Sequence, residues 1–270
     1  MKLLQELEHC LPPLIVIPAG PFRMGTPDAQ RSALAQRYGG TRESYADESP
    51  QHEVWVERFL IAQTPVTNAL YALFQHDSGD VAPRAAPPTH PVVDVSWHEA
   101  QRFCAWLRQL TGQPFRLPTE AEWEKAARGT DGRAFPWGDR FDPARCNTRE
   151  SGIGTTTPVD HYPTGASPYG VLDLAGNVYE WTQSLQAPYP YRAEDGRNGM
   201  EPLHTTASRR LLQRLLHRAP EHAPPPLEQR RIIRGGCYVN PEGFARCACR
   251  LRLDPAQRTP FVGFRLACDA

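Results

Sequence analysis

Asp173-Leu-Ala-Gly-Asn-Val-Tyr-Glu-Trp181 places two carboxylates on either side of a Gly176-Asn-Val178 turn. Such a string reads in two ways. The acids and the turn carbonyls can enclose a hard cation, because calcium takes oxygen ligands. Alternatively, it is a tight turn before a strand, with solvated acids. Upstream, Ser96-Trp97-His98-Glu99 and Thr119-Glu120-Ala121-Glu122 are capping boxes, in which a hydroxyl and a carboxylate satisfy the free amides that open a helix. The first box leads into Ala100, Phe103, Cys104, Trp106, Leu107 and Leu110 and stops at Gly112. The second runs through Trp123, Ala126 and Ala127 to Gly129. Strand-like runs are short: Leu14–Ile17, Val54–Ile61, Val92–Val95, Ile232–Arg234 and Arg246–Leu253. Two main helices among short antiparallel strands and irregular stretches predict a loop-rich α+β domain.

Composition narrows the functional classes. The formal net charge is zero, so no global field draws the chain to nucleic acid or to an anionic membrane. Positive charge is almost all arginine; Lys2 and Lys125 are the lysines. Between Met1 and Gly20 the apolar burst Leu14–Ile17 is too short for a signal peptide or a membrane span, which predicts a cytoplasmic protein. Seven cysteines lack the spacing of a disulfide framework and are expected to be thiols. From Met200 to Glu228 the chain turns polar, with Ala207–Ala219 carrying Leu211, Leu212, Leu215 and Leu216 on one helical stripe. That insert is either a surface helix packed on its own domain or a partner-binding helix.

Several strings, taken in order, resemble one family: Ile17-Pro-Ala-Gly-Pro-Phe-Arg-Met-Gly25, Thr64-Pro-Val-Thr-Asn68 and Pro91-Val-Val-Asp-Val-Ser-Trp97. Arg116-Leu-Pro-Thr-Glu-Ala-Glu-Trp-Glu124, Phe135-Pro-Trp-Gly138, the Asp173–Trp181 string, Arg234-Gly-Gly236 and Gly263-Phe-Arg265 continue the series. The ordered set resembles the formylglycine-generating enzyme (sulfatase-modifying factor) family, which implies a C-type lectin-like fold and one domain over about 14–267. The resemblance implies a structural Ca²⁺ held by Asp173, Glu180 and the carbonyls of Gly176 and Val178. A second site would fall at Asn147 and Ile153, where Ser151 replaces the expected acid.

The family's oxidase chemistry needs two cysteines that bind Cu(I). Asn240 and Ala245 stand at those two positions, and neither supplies the soft sulfur ligand that Cu(I) requires. The expectation is therefore a protein that binds no copper and is not an enzyme. A divergent oxidase or pathway accessory factor is one alternative, and a static interaction module is the other. Cys237, Cys247 and Cys249 are candidates for a displaced metal site, for which no nearby His completes a ligand set.

The segment 234–266 also resembles the variable region of proteins diversified by retroelements: Arg234-Gly-Gly-Cys-Tyr238, Ala245-Arg-Cys-Ala-Cys-Arg-Leu-Arg252, Pro255-Ala-Gln-Arg258, Gly263-Phe-Arg265. Alternation along a strand would turn Arg246, Ala248, Arg250 and Arg252 to the scaffold and Cys247, Cys249, Leu251 and Leu253 the other way. The second face is either core or an exposed display surface. Randomised adenines in AGC, TAC and AAC codons would yield Cys237, Cys247 and Cys249, and also Val239, Asn240, Gly243, Phe244, Leu251, Leu253, Asp254, Thr259, Pro260 and Phe261. With Tyr238 these are the candidate ligand-binding residues. Tyr238, Phe244 and Phe261 are the expected aromatic anchors for a protein or other macromolecular partner.

Overall fold

The computed structural model describes residues 2–79, 86–199 and 229–270. The Met200–Glu228 insert and its leucine stripe lie outside the described residues.

Both capping boxes form. Ser96 and Glu99 cap α4 (Trp97–Thr111) reciprocally, and left-handed Gly112 (φ 71°) ends it. Thr119 and Glu122 do the same for α5 (Glu120–Arg128). Three further helices, α1 (Lys2–Cys10), α2 (Arg31–Tyr38) and α3 (Asn68–Ser78), carry weaker sequence signals. Thr67 caps α3 by accepting from the Leu70 amide, whereas no side chain caps α2.

One four-stranded sheet has the order β1 (Leu14–Ile17), β4 (Phe59–Ala62), β10 (Ala267–Asp269), β5 (Phe115–Arg116). A two-stranded ribbon pairs β2 (Gly20–Met24) with β3 (His52–Val56). A second four-stranded sheet has the order β8 (Arg250–Leu253), β7 (Arg231–Arg234), β6 (Tyr179–Leu185), β9 (Val262–Phe264). The strand pairings are antiparallel, as expected, except the last of this sheet, β6 with β9, which is parallel.

Three strand boundaries also needed correction. Val54–Ile61 is two strands, β3 and β4, each pairing in a different sheet. Val92–Val95 is not a strand; the Val92 amide instead bonds to the Val66 carbonyl outside either sheet. Arg246–Leu253 is extended as a strand only from Arg250, because the Cys249 amide closes a turn onto the Arg246 carbonyl.

Two large clusters make the core. One packs α3 and α4 (Leu70, Phe74, Phe103, Leu107) against Trp181, Val262 and Phe264. The other packs Trp123 and Ala127 of α5 against Phe22, Phe59, Leu174 and Cys247. The sheet β8-β7-β6-β9 packs its apolar side chains on the α3–α4 cluster, and Glu180 and Arg234 tie it to α5 through Trp123 and Glu124.

Candidate functional site

Four buried arginines fix the C-terminal segment to the scaffold. Arg234 ends β7 with no exposed surface, and its guanidinium lies 2.6 Å from Glu124. The same group donates to the carbonyls of Cys247, Ala248 and Cys249 at 3.0–3.3 Å and to the Tyr189 hydroxyl at 3.0 Å. Arg246 makes a two-pronged pair with Glu48 (2.8 and 3.0 Å) and also holds the Gly243 carbonyl. Arg250 reaches Glu120 at 3.0 Å, and Arg265 holds Glu180 at 2.5 and 2.6 Å. Arg252 pairs with Asp47 nearer the surface. The expected arginine face is therefore the scaffold face. Planar guanidinium forks suit this task, since each binds a carboxylate and several carbonyls at once.

The acids at the other end were not foreseen. Glu48 and Asp47 sit at the end of the short helical stretch Arg42–Glu48, and Glu120 lies at the start of α5 with its side chain turned inward. Sequence spacing relates none of them to the arginines; Glu48 and Arg246 are 198 residues apart.

The cysteines are the main correction. Cys237, Cys247 and Cys249 are 1%, 0% and 9% exposed, so they display nothing. They do not converge either. Cys237 belongs to the α3–α4 cluster and donates from Sγ to the Asn240 side-chain oxygen at 3.0 Å. Cys247 belongs to the α5 cluster, with its amide on the Ala134 carbonyl. Among the described residues no group of three His, Cys, Asp or Glu side chains is gathered for a metal. Burial pushes the Cys247 and Cys249 thiols up to about 12, and raises Cys237 as well, which leaves them protonated and poor nucleophiles. Gly243 is likewise closed in, against Tyr38, and Thr259 is buried.

The remaining predicted residues lie at or near the surface. Val239 is 48% exposed at the tip of the loop after Gly236. Its neighbour Tyr238 is half-buried, with the hydroxyl 3.5 Å from the Pro260 carbonyl, so the loop at 238–240 meets the loop at 258–261. Pro260 is exposed and Phe261 half-buried. Leu251, Leu253 and Phe261 rest partly on the α3–α4 cluster, and Phe244 and Asp254 are half-buried. Arg149 donates its amide to the Asn240 carbonyl, which holds the base of the first loop. Ala245, the second family cysteine position, is fully buried.

At the Asp173 turn, Asp173 (φ 56°) and Asn177 (φ 60°) adopt left-handed backbone, as does Gly176 (φ 79°). Gly176 cannot carry a side chain, because a Cβ would strike the Asn147 carbonyl. The Asp173 carboxylate receives Asn177 Nδ2 at 2.9 Å on Oδ2. Burial pushes this carboxyl up to about 7. Glu180 differs: both of its oxygens are engaged by Arg265, and Trp123 Nε1 adds a bond at 2.8 Å. Among the described residues Oε1 accepts from Arg265 alone, which leaves one lone pair for a cation. A buried, under-compensated acid beside turn carbonyls fits a hard cation. At the second position the fit fails. Ser151 Oγ donates to the Asn147 side-chain oxygen at 2.9 Å, no metal-holding group of three His, Cys, Asp or Glu side chains forms there among the described residues, and the Ile153 side chain is exposed.

The chain belongs to the sulfatase-modifying factor enzyme 1-like domain family, whose model matches residues 2–270. It is 31% identical over 84% of its length to the serine/threonine-protein kinase pkn1 of Chlamydia caviae, of which it spans 36%. The formylglycine-generating enzyme of Streptomyces coelicolor is 30% identical over 94% of this chain and 88% of its own. Among solved structures, Treponema denticola variable protein 1 superposes with a TM-score of 0.68 at 22% identity, covering 95% of both chains, which establishes the shared fold. No described helix is long and apolar enough to cross a membrane.

Proposed function

We propose that this is a non-catalytic ligand-binding protein whose C-terminal loops present a variable surface, as in the variable proteins of diversity-generating retroelements. The observation that carries this reading is the contact of Tyr238 with Pro260, which sets the exposed Val239 on one of two adjoining loops in a segment fixed by buried arginines. Side chains held on a rigid base lose little freedom on binding, so contact area is converted to affinity more fully. Tyr238, Val239 and Phe261, with Leu251 and Leu253 beside them, favour an apolar protein surface as partner. Cys237, Cys247 and Cys249 contribute small buried volume and are not part of this surface. The shared fold with a protein described as a variable protein supports the reading.

Asn240 and Ala245 weigh against the oxidase alternative, since neither is a thiol, and the thiols packed near them, Cys237 on Asn240 and Cys146 in the cluster with Ala245, are buried, which raises their pKa. The same reading retains Ca²⁺ as a structural ion. Asp173, the Gly176 and Val178 carbonyls and the spare Glu180 lone pair would hold it, and it would neutralise the buried acid.

Two experiments test the proposal. Sequencing the locus should reveal a near-copy of the segment encoding 234–266 beside a reverse transcriptase; a locus without that copy refutes the retroelement origin. Purified protein should leave a cysteine-containing peptide unoxidised in the presence of copper and oxygen, and turnover there would restore the enzyme reading.

A further inference from the structure

A cavity of about 620 Å³ opens on a different part of the molecule. One wall is Arg23 of β2, a second is Leu34, Arg37 and Tyr38 of α2, and a third is the 128–139 loop with Trp137. Arg246 and Ala248 form its floor. The volume lies within the range of small-molecule sites.

Charge bookkeeping around this cavity points to the ligand class. Five arginines line it, and three are already matched. Arg128 lies 2.7 Å from Glu124, a carboxylate that it shares with Arg234; Arg246 pairs with Glu48 at 2.8 Å and Arg133 with Asp131 at 2.6 Å. Arg23 and Arg37 make no ion pair among the described residues, and they stand on opposite elements, β2 and α2. One lining acid, Asp139, is likewise unmatched by an arginine; it accepts the Ala134 amide. The excess is thus small and positive. It suits a carboxylate, which guanidinium forks bind in two-pronged fashion; a phosphate ester is the competing anion that titration separates.

The uncharged lining supplies the rest. Phe135 stacks under Trp137 with rings 5.6 Å apart and 10° from parallel, so the indole is held as a fixed flat wall. Gln30 and Gln51 add amide groups that can donate to and accept from hydroxyls. A flat apolar platform, amides and one carboxylate-binding pair together match a sugar ring that bears an acid.

We infer that the cavity between β2, α2 and the 128–139 loop binds an acidic saccharide, its carboxylate held by Arg23 and Arg37 and its ring laid on Trp137. This is independent of the loop surface at Tyr238 and Val239. The test is calorimetric titration of the full chain with digalacturonate, with the neutral disaccharide galactobiose and with adenosine monophosphate. Digalacturonate should bind at least ten-fold tighter than either of the others, and R23A/R37A, two exposed positions, should lose at least ten-fold with an unchanged melting temperature. A V239S variant should bind digalacturonate as the parent does, which separates this site from the display surface. Absent or equal binding of the three probes, preference for the nucleotide, or undiminished binding by R23A/R37A overturns the inference.

Discussion

Replacing Arg234 by alanine should unfold or nearly unfold the protein, and the size of the loss follows from its contacts. The side chain has no exposed surface and lies 2.6 Å from Glu124, which is itself fully buried. Removing one partner of a buried ion pair costs about 3–5 kcal/mol. Glu124 would keep Arg128 and the Gly25 amide, which places the loss at the lower end of that range. The Cys247, Ala248 and Cys249 carbonyls would also lose their donor, at roughly 1 kcal/mol or more each where water cannot replace it. The sum is about 6 kcal/mol, comparable with the entire stability of an ordinary domain. At roughly 2–4 °C per kcal/mol for a chain of this size, the melting temperature should fall by about 12–24 °C. Lysine at 234 keeps the charge beside Glu124 but cannot fork to three carbonyls, so R234K should lose about half as much. Urea denaturation followed by tryptophan fluorescence measures both. A loss below about 1 kcal/mol in R234A would refute the account of the arginine as the member that secures the C-terminal segment.

Three further outcomes follow from the same structure. C247S should cost about 1–2 kcal/mol, because a hydroxyl replaces a thiol at a fully buried site, whereas V239S should stay within about 0.5 kcal/mol; paired denaturation curves decide between core and display. The Cys104, Cys146, Cys247 and Cys249 thiols are each raised by burial to about 12 from an ordinary value of 9.0, so the folded state favours their protonated form. Their contribution is complete below pH 9 and is lost as the pH climbs towards 12; melting temperature against pH should fall in that window, and a C247A/C249A variant should fall less steeply. Chelation with EDTA should lower the melting temperature and added Ca²⁺ restore it, with D173N insensitive to both; equal curves with and without Ca²⁺ would remove the structural cation.

Helix starts were the most legible feature, because a capping box is local. Ser96 with Glu99 and Thr119 with Glu122 needed no tertiary knowledge, and both formed as read. The order of strings across the chain also carried the fold, and it was sound. Alternation misled at Arg246–Leu253. Period two correctly separates Arg250 and Arg252 from Leu251 and Leu253, but the turn at Arg246–Cys249 precedes the strand, and there both the arginine and the cysteines are buried. A hydrophobic face and a display face have the same period, so only packing could decide. The acids that receive the arginines were illegible for another reason: such pairs join residues brought together by topology, which leaves no local pattern.

The placement of β10 has a consequence for how this chain is made. Residues 267–269 sit between β4 and β5, and β9 at residues 262–264 lies alongside β6. Residues 262–269 are made after the strands that they join, which come from residues 59–62, 115–116 and 179–185. Pairings over such separations make folding slow, because loops must close before contacts reward them. Until then the β4 and β5 edges lack the strand between them, and nascent chains are open to holding factors and to proteases. A chain that stops before Val262 lacks both β9 and β10, so the loops at 238–240 and 258–261 reach their fixed spacing only once residues 262–269 are in place.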